Sequence, residues 1–248
     1  LTVLAKNIEG YKNLCQLITK SHLEGFYYKP RVDKEILQEH SEGLVVLSGC
    51  LNAEIPKLIT QDRLDEAKNV ALWYKEIFND YYLEIQDHEG LPELKIVSDH
   101  LINLSKETDI PLVATNDFHY IEKEDAPIQD ILICIHTNTN QNDEKRLRME
   151  DDSYYLKSQE EMEALFKDHP EAIENTSKIA NMCDVELEFG KMRLPEYKDI
   201  QGKNADDYLS NLCWDGLEKR FTTITEELKE RLSYELSVIK TTQFANYF

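Results

Sequence analysis

Three side chains that can bind a divalent metal follow two short apolar runs of the sequence. Cys50 comes just after the run at 43–48, and Asp117 and His119 follow the run at 111–115. Side chains two apart in an extended segment point the same way, so Asp117 and His119 are expected to aim together into the crevice beyond the strand end. A carboxylate, an imidazole and a thiolate gathered there suit zinc or manganese. The sequence therefore predicts a metal site built on strand ends.

Each of these residues also has a plainer interpretation. Asp117 can cap the next turn while His119 packs at the rim, and Cys50 can be a small buried apolar residue, as free cysteines often are. His88 follows a third apolar run at 81–86 and can reach the same rim as an outer ligand or a substrate contact. Cys50 joins the predicted cluster only if its strand end lies near that of Asp117.

Other kinds of catalytic motif are missing from the sequence. There is no Gly-rich phosphate loop and no Gly-x-Ser-x-Gly elbow, and the chain has eight glycines in all. No closely spaced pair of carboxylates on a predicted strand is typical of a two-metal nucleotidyl-transfer site. The acidic pairs Asp151-Asp152 and Asp206-Asp207 lie in a predicted loop and at a predicted helix start, where solvation and the helix dipole account for them.

The elements that must position these residues alternate between strands and helices in the first half of the chain. The hydrophobic periods predict strands at 2–6, 43–48, 81–86 and 111–115, and helices at 9–20, after the N-cap Asp33, at 62–78, at 92–106 and at 126–135. Strands separated by helices favour βαβ units and a parallel sheet. We expect an α/β fold, with a partial β/α barrel preferred over a complete doubly wound sheet.

The second half of the chain has a different character. Residues 137–152 are polar and without a period, so they are predicted to form a loop or linker. Ser158 and Glu161 match a capping box that opens a helix. The remaining predictions are a helix at 170–183, a strand-like segment at 185–189, a turn at Gly190 before Leu194-Pro195, and two long helices at 206–221 and 226–241.

Composition limits the class of protein. The 248 residues carry a formal net charge of −20, which argues against a broad grip on a phosphate backbone, and basic residues cluster only at Lys29/Arg31 and at Lys145/Arg146/Arg148. The five cysteines are widely spaced along the chain, and their number is odd. The sequence contains neither a secretory signal nor an apolar stretch long enough to cross a membrane. We therefore expect a cytoplasmic protein with reduced thiols and no membrane contact.

An ordered series of short motifs runs along nearly the whole chain. It includes Leu1-Thr-Val-Leu-Ala-Lys-Asn7, Gly10-Tyr-Lys-Asn-Leu14, Glu24-Gly-Phe-Tyr27, Glu42-Gly-Leu-Val-Val-Leu-Ser-Gly-Cys50, Trp73-Tyr-Lys-Glu-Ile-Phe78, Tyr82-Leu-Glu-Ile-Gln-Asp-His88, Pro111-Leu-Val-Ala-Thr-Asn-Asp117, Tyr155-Leu-Lys-Ser158, Cys183-Asp-Val-Glu-Leu-Glu-Phe-Gly190 and Phe244-Ala-Asn-Tyr-Phe248. Each motif is weak alone, but the ordered set is specific. It resembles the bacterial DNA polymerase III alpha subunit family.

This resemblance implies a division of the chain into three parts. Residues 1–137 would be the later part of a polymerase-and-histidinol-phosphatase (PHP) domain, a distorted β/α barrel. Residues 138–193 would be a helical connection, and 194–248 would enter the polymerase palm. Cys50, Asp117 and His119 match the last three metal-ligand positions of the family, and a His-x-His pair and a further His would precede Leu1. The palm aspartates would lie beyond Phe248, so the chain by itself is expected to be an inactive internal fragment.

The resemblance also implies partners and a reaction for the longer protein. It would add deoxynucleotides to a primer on a DNA template with two Mg²⁺ ions, together with a sliding clamp, a clamp loader and a proofreading exonuclease. Exonuclease or phosphoesterase activity at the PHP site is left open. One alternative is a stand-alone metal-dependent phosphoesterase of the same barrel type, which does not explain the motifs after residue 150. The other is a non-catalytic scaffold domain.

Overall fold

The computed structural model describes residues 1–191, 197–198, 202 and 204–248, which divide into two compact units, Leu1–Leu187 and Glu188–Phe248. The first unit contains strands β1 (Thr2–Ala5), β2 (Leu44–Leu47), β3 (Asp80–Ile85) and β4 (Leu112–Ala114), and helices α1 (Ile8–Leu23), α2 (Lys34–Glu39), α3 (Glu54–Thr60), α4 (Leu64–Ile77), α5 (Pro92–Thr108), α6 (Ala126–Thr137), α7 (Gln159–Leu165) and α8 (Pro170–Met182). The second unit contains α9 (Ala205–Arg220) and α10 (Glu226–Thr241).

The four strands form one mixed sheet in the order β1-β2-β3-β4. β2, β3 and β4 are parallel, as the alternation of strands and helices predicts. β1 runs antiparallel to β2, with Thr2 opposite Leu47, so the expectation of a wholly parallel sheet is wrong at this edge. Within the described residues the sheet is open, and the α/β class is confirmed without closure into a barrel.

The antiparallel pairing of β1 follows from the path of the chain after it. The backbone N–H of Lys6, just past β1, donates to Gly43 O just before β2 at 2.8 Å. α1 carries the chain away from this point and α2 returns it, with Lys20 and Glu39 paired across them at 3.3 Å. A Cβ on Gly10 would lie 1.8 Å from Gly43 O, so only glycine allows α1 to start this close to the sheet.

Both faces of the sheet are buried along β2, β3 and β4, which is why β2 and β4 read as continuous apolar runs, whereas β1 at the sheet edge is partly exposed. Leu44 and Val46 face one layer, together with side chains of α4 and α5, and Val45 and Leu47 face the other. On that second face Ile179 of α8 packs with the strands. The four residues of β2 are therefore all buried, as the sequence predicts.

α8 also covers the outer edge of β4. Asn175 Nδ2 donates to the Leu112 carbonyl oxygen at 2.7 Å, and Asn175 is itself buried. An open strand edge presents unpaired backbone groups, and this bond satisfies one of them with a side chain. The helix predicted at 170–183 thus belongs to the same unit as the sheet.

Local capping signals are confirmed where the sequence is explicit. Asp33 Oδ1 accepts from the Ile36 N–H at 2.9 Å at the start of α2. Ser158 and Glu161 form the reciprocal capping box of α7. The two long helices predicted near the C-terminal end match α9 and α10 within a residue at each end.

Two segments differ from the prediction. α3 was not predicted, because it is only seven residues long, and its apolar residues Ile55, Leu58 and Ile59 cover too short a stretch to establish a period. Residues 185–189 alternate apolar and acidic side chains, yet they form no strand in the described structure. The Asp184 N–H donates to the Lys6 carbonyl oxygen at 2.9 Å just past β1, but no ladder with β1 continues from there. A period of two indicates a strand only when the fold supplies a partner.

The remaining organisational predictions are settled only in part. The boundary at residue 137 stays a prediction. The boundary at 194 and the Leu194-Pro195 pair lie outside the described residues. In the described part of the chain, no helix has the length and apolar character needed to cross a membrane.

Candidate functional site

A buried carboxylate ties together the C-terminal ends of the three parallel strands. Glu84 of β3 accepts hydrogen bonds from the Gly49 N–H at 3.1 Å, from Thr115 Oγ1 at 2.5 Å and from Gln86 Nε2 at 3.0 Å. Its own N–H donates to Ser48 Oγ at 2.8 Å. Gly49 follows β2 and Thr115 follows β4, so one carboxylate joins the ends of all three strands.

This network places the predicted ligand segments at one edge of the sheet. Cys50 is the next residue after Gly49, and Asp117 is two residues after Thr115, so both segments contact the same Glu84 carboxylate through their neighbours. The strand end that carries Cys50 therefore lies near the strand end that carries Asp117, which is the condition for Cys50 to join the predicted cluster. Cys50 is half-buried, whereas the His119 side chain is exposed.

The predicted ligands share this edge without forming a finished metal site. Among the residues that the structure describes, no group of three or more His, Cys, Asp or Glu side chains is arranged to hold a metal ion. His119 Nδ1 lies 2.7 Å from the Asp117 carbonyl oxygen, which leaves Nε2 as the ring atom available for a ligand. The assignment of Cys50, Asp117 and His119 as ligands stays a prediction.

Tyr154 lies between the two histidines of this edge. The His88 ring stacks on the Tyr154 ring with centroids 4.0 Å apart, and the His119 ring meets it edge-on at 5.7 Å. The backbone N–H of His119 also donates to the Tyr154 carbonyl oxygen at 2.8 Å. The polar segment 137–152, predicted as a linker, therefore returns the chain to the sheet edge. Only the aromatic pair Tyr154-Tyr155 at its end signals this return in the sequence.

His88 is the first member of a hydrogen-bond relay. Its Nδ1 lies 2.6 Å from Ser153 Oγ, and Ser153 Oγ donates to Asp151 Oδ1 at 2.5 Å. A serine hydroxyl has a single proton, and here the carboxylate accepts it, so Ser153 Oγ accepts from His88. The Nδ1 atom therefore carries the imidazole proton and Nε2 carries the lone pair. Asp151 is held in turn by the Gly90 N–H through its other oxygen, at 2.5 Å.

The lone-pair nitrogen of His88 is buried without a partner. His88 is 4% exposed, and its Nε2 has no hydrogen bond within the described structure. Burial, with a smaller contribution from the Lys157 ammonium, lowers the pKa of His88, and the carboxylates of Asp151 and Asp117 oppose this only in part. A neutral imidazole with a free Nε2 is the form that binds a metal or accepts a proton.

An open cleft of about 380 Å³ adjoins this relay. Its charged lining residues are Asp87, Glu89, Lys123, Asp151, Asp152, Lys157 and Glu161. Lys157 Nζ donates to Asn116 Oδ1 at 2.8 Å and also to the Ser153 carbonyl oxygen, so it connects the segment beside Asp117 to the relay. Burial lowers the pKa of Lys157, and the Asp151 carboxylate opposes that shift.

We expect His88 to make the stability of the chain depend on pH. Because the folded-state pKa of His88 lies below the ordinary value near 6.5, the unfolded chain binds a proton that the folded chain excludes as the pH falls. The stabilisation by neutral His88 is present above about pH 6.5 and is lost as the pH falls toward the folded-state pKa. Urea unfolding at pH 7.5 and 5.5 measures the loss, which the His88→Asn variant should reduce.

His136 supplies the matched control for this experiment. It is exposed on α6, so His136→Asn should retain the full pH dependence of the unmodified chain. An equally steep loss of stability in the His88→Asn variant and in the unmodified chain would contradict the role given to His88.

Two family models match separate parts of the chain. The model described as the PHP domain matches residues 1–88, which include β1 to β3 and extend to His88. The model described as the bacterial DNA polymerase III alpha NTPase domain matches residues 207–248, which cover most of α9 and all of α10.

Curated relatives match all or most of the chain. It is 47% identical to the DNA polymerase III subunit alpha of Borreliella burgdorferi over all of this chain and 22% of that protein. It is 45% identical to the subunit of the same name from Treponema pallidum, over all of this chain and 21% of that protein. The Thermus aquaticus subunit is 45% identical over 89% of this chain and 19% of its own length. The chain thus spans about a fifth of the length of these relatives.

Proposed function

The chain belongs to the bacterial DNA polymerase III alpha subunit family, as its sequence motifs predict, and from this premise we propose that it is a segment of a replicative DNA-directed DNA polymerase. The observation that carries the proposal is the 47% identity to such a subunit over the full 248 residues, which includes the part beyond the PHP match. A stand-alone phosphoesterase leaves the similarity after residue 150 without an explanation.

In this proposal the longer protein adds deoxynucleotides to a primer on a DNA template, with two Mg²⁺ ions clamping the phosphates. The residues that hold those ions lie outside this chain. The net charge of −20 is consistent with this proposal, because other parts of the longer protein then bind the phosphate backbone of the DNA. The working partners are a sliding clamp, a clamp loader and a proofreading exonuclease in the cytoplasm.

We propose further that β1–β4 are part of a PHP-type distorted barrel. β2, β3 and β4 are parallel and lie side by side in chain order, which is the arrangement of successive strands in a β/α barrel. A doubly wound sheet instead reverses its strand order at a switch point. Residues 1–137 would then form the later part of the PHP domain, 138–193 the helical connection, and 194–248 the entry to the palm.

Cys50, Asp117 and His119 would hold zinc or manganese at this barrel edge, with further ligands from outside the chain. Their chemistry fits, since they offer a half-buried thiol, a carboxylate and an imidazole with Nε2 available, on segments joined through Glu84. Such an ion supplies Lewis-acid activation of water or of a phosphoryl oxygen. His88 would stand at the rim of this site, oriented through Ser153 and Asp151.

A non-catalytic scaffold role for the barrel segment is the second candidate. It is favoured by the finding that the described residues contain no group of three ligating side chains arranged for a metal ion. The two candidates differ in whether the longer protein contains stoichiometric metal at this edge. Both are compatible with polymerase activity elsewhere in that protein.

Primer extension tests the proposed function. We expect the protein encoded by the complete gene to extend a primer on a DNA template in the presence of Mg²⁺, and the 248-residue chain to add no nucleotide under the same conditions. The gene itself should encode a His-x-His pair upstream and a Pro-Asp-x-Asp-x-Asp-like run downstream. A complete protein that hydrolyses phosphate esters but extends no primer would establish the stand-alone phosphoesterase instead.

A further inference from the structure

The loop between α1 and α2 exposes three consecutive aromatic side chains. Phe26 is 60% exposed, Tyr27 is 63% exposed and Tyr28 is 82% exposed. Together with Lys29, Pro30 and Arg31 they form what we call the aromatic tip, residues 26–31. Large aromatic side chains normally contribute to stability by burial, and these three contribute little in that way.

The backbone of the aromatic tip is held in a defined, unusual conformation. The Tyr27 N–H donates to the Lys29 carbonyl oxygen at 3.1 Å, which closes a tight turn. Tyr28, at the centre of that turn, has φ of 59°, a left-handed conformation that a bulky residue rarely adopts. A Cβ on Gly25 would lie 2.1 Å from the Arg31 carbonyl oxygen, so glycine is required where the two ends of the tip meet. Backbone strain of this kind is concentrated at functional positions.

The aromatic tip also presents unpaired positive charge in a strongly acidic chain. Lys29 and Arg31 are exposed, and neither forms an ion pair with a carboxylate in the part of the chain that the structure describes. The Arg31 guanidinium instead lies over the Tyr27 ring, 5.1 Å from its centroid. By contrast, Arg63 and Arg146 are each bound to a carboxylate. The charge of the tip is thus available to a ligand.

We propose that the aromatic tip is a stacking platform for single-stranded DNA, an inference that rests on the proposed function for the choice of DNA as the ligand. Unpaired bases stack on exposed aromatic rings, and nearby cations neutralise the phosphates between them. The Tyr27 and Tyr28 rings meet edge to face with centroids 4.6 Å apart, so their planes are steeply inclined and the two rings do not stack on each other. Duplex DNA fits poorly, because its bases are already stacked.

The position of the tip connects it to the candidate site. Lys34, three residues after Arg31, pairs with Glu54 Oε1 at 3.1 Å. Glu54 begins α3, four residues after Cys50. The chain that leaves the tip is therefore anchored to the start of α3, the helix that follows the Cys50 segment. Two cations bind only a few phosphates, so the platform positions a short single strand and does not supply the main grip on DNA.

Binding of a fluorescein-labelled oligo(dT) to the 248-residue chain, followed by anisotropy, tests the proposal. We expect Tyr27→Ala and Tyr28→Ala each to weaken binding about tenfold, the scale of losing one stacked base. Lys29→Glu should weaken binding and lower the slope of log affinity against log salt by about one or more. The control is Tyr11→Ala, an exposed tyrosine near the start of α1, which should bind like the unmodified chain.

The contact itself can be located with an oligonucleotide that contains 5-bromodeoxyuridine. Ultraviolet cross-linking followed by peptide mass spectrometry should identify residues 26–31. Cross-links confined to other segments, equal affinity for a blunt duplex, or no measurable binding would each overturn the platform. The proposed function is judged separately by primer extension with the complete protein, which does not depend on binding at the tip.

Discussion

Replacing Glu84 with Ala should lower the free energy of unfolding by about 3–5 kcal/mol, measured by urea unfolding of the 248-residue chain. The substitution removes a buried carboxylate that accepts from Gly49, Thr115 and Gln86. The Gly49 N–H and the Thr115 hydroxyl then lose their acceptor, while Gln86 Nε2 keeps its bond to Thr115 Oγ1, and an unsatisfied buried donor costs about 1–3 kcal/mol. The ends of the three parallel strands would be held together less firmly.

Two variants separate this effect from a general loss of charge. Glu84→Gln keeps an acceptor oxygen, so it should cost less than Glu84→Ala. Glu107→Ala removes an exposed carboxylate that pairs with Lys68 on the surface, and it should change stability by less than about 1 kcal/mol. If Glu84→Ala proves no more costly than Glu107→Ala, the network does not hold the strand ends.

Asp117→Ala in the complete protein should weaken the affinity for zinc or manganese at least about a hundredfold. Loss of an outer-shell partner of a ligand already costs about 10–100-fold, and a direct ligand should cost more. Metal content after dialysis, measured by elemental mass spectrometry, is the readout. In the 248-residue chain we expect no tightly held metal, because three ligands leave the site open.

The backbone at Asp117 requires a second variant. Its φ of 48° is left-handed, a conformation that Asn and Asp tolerate better than Ala. Asp117→Asn therefore keeps the backbone preference while removing the charge, and it should also lose metal. Asp152→Ala, which removes an exposed carboxylate paired with Lys123, should retain it. A complete protein that never contains metal, and in which Asp117→Ala only lowers the melting temperature, would favour the scaffold role.

Most of the local structure follows from the sequence because local interactions cause it. The apolar period places α1, α4 and α5, and the continuous apolar runs place β2 and β4. Asp33 and Ser158 mark helix starts through hydrogen bonds that span only three residues. Even the family could be recognised from ordered motifs, since residue identity along the chain is all that such recognition needs.

Tertiary structure decided the features that join distant segments. The direction of β1 depends on how α1 and α2 return the chain, and the period of β1 alone does not contain that information. Glu84 reads as one more residue of a buried strand until it meets Gly49, 35 residues away, and Thr115, 31 residues away.

In the candidate site, too, some features could be predicted from the sequence and others depend on the tertiary structure. The sequence predicted that the segments carrying Cys50, Asp117 and His119 meet at one edge, because parallel strands bring their C-terminal ends together, whereas their role as ligands stays a prediction. The relay from His88 to Ser153 was not predictable, because it joins residues 65 apart through a segment whose polar composition indicated only a linker. Local sequence signals predicted most of the helices and strands and where they end, apart from α3 and the segment 185–189. The packing of those elements decided which side chains meet, because hydrogen bonds and ring contacts depend on distance in space rather than along the chain.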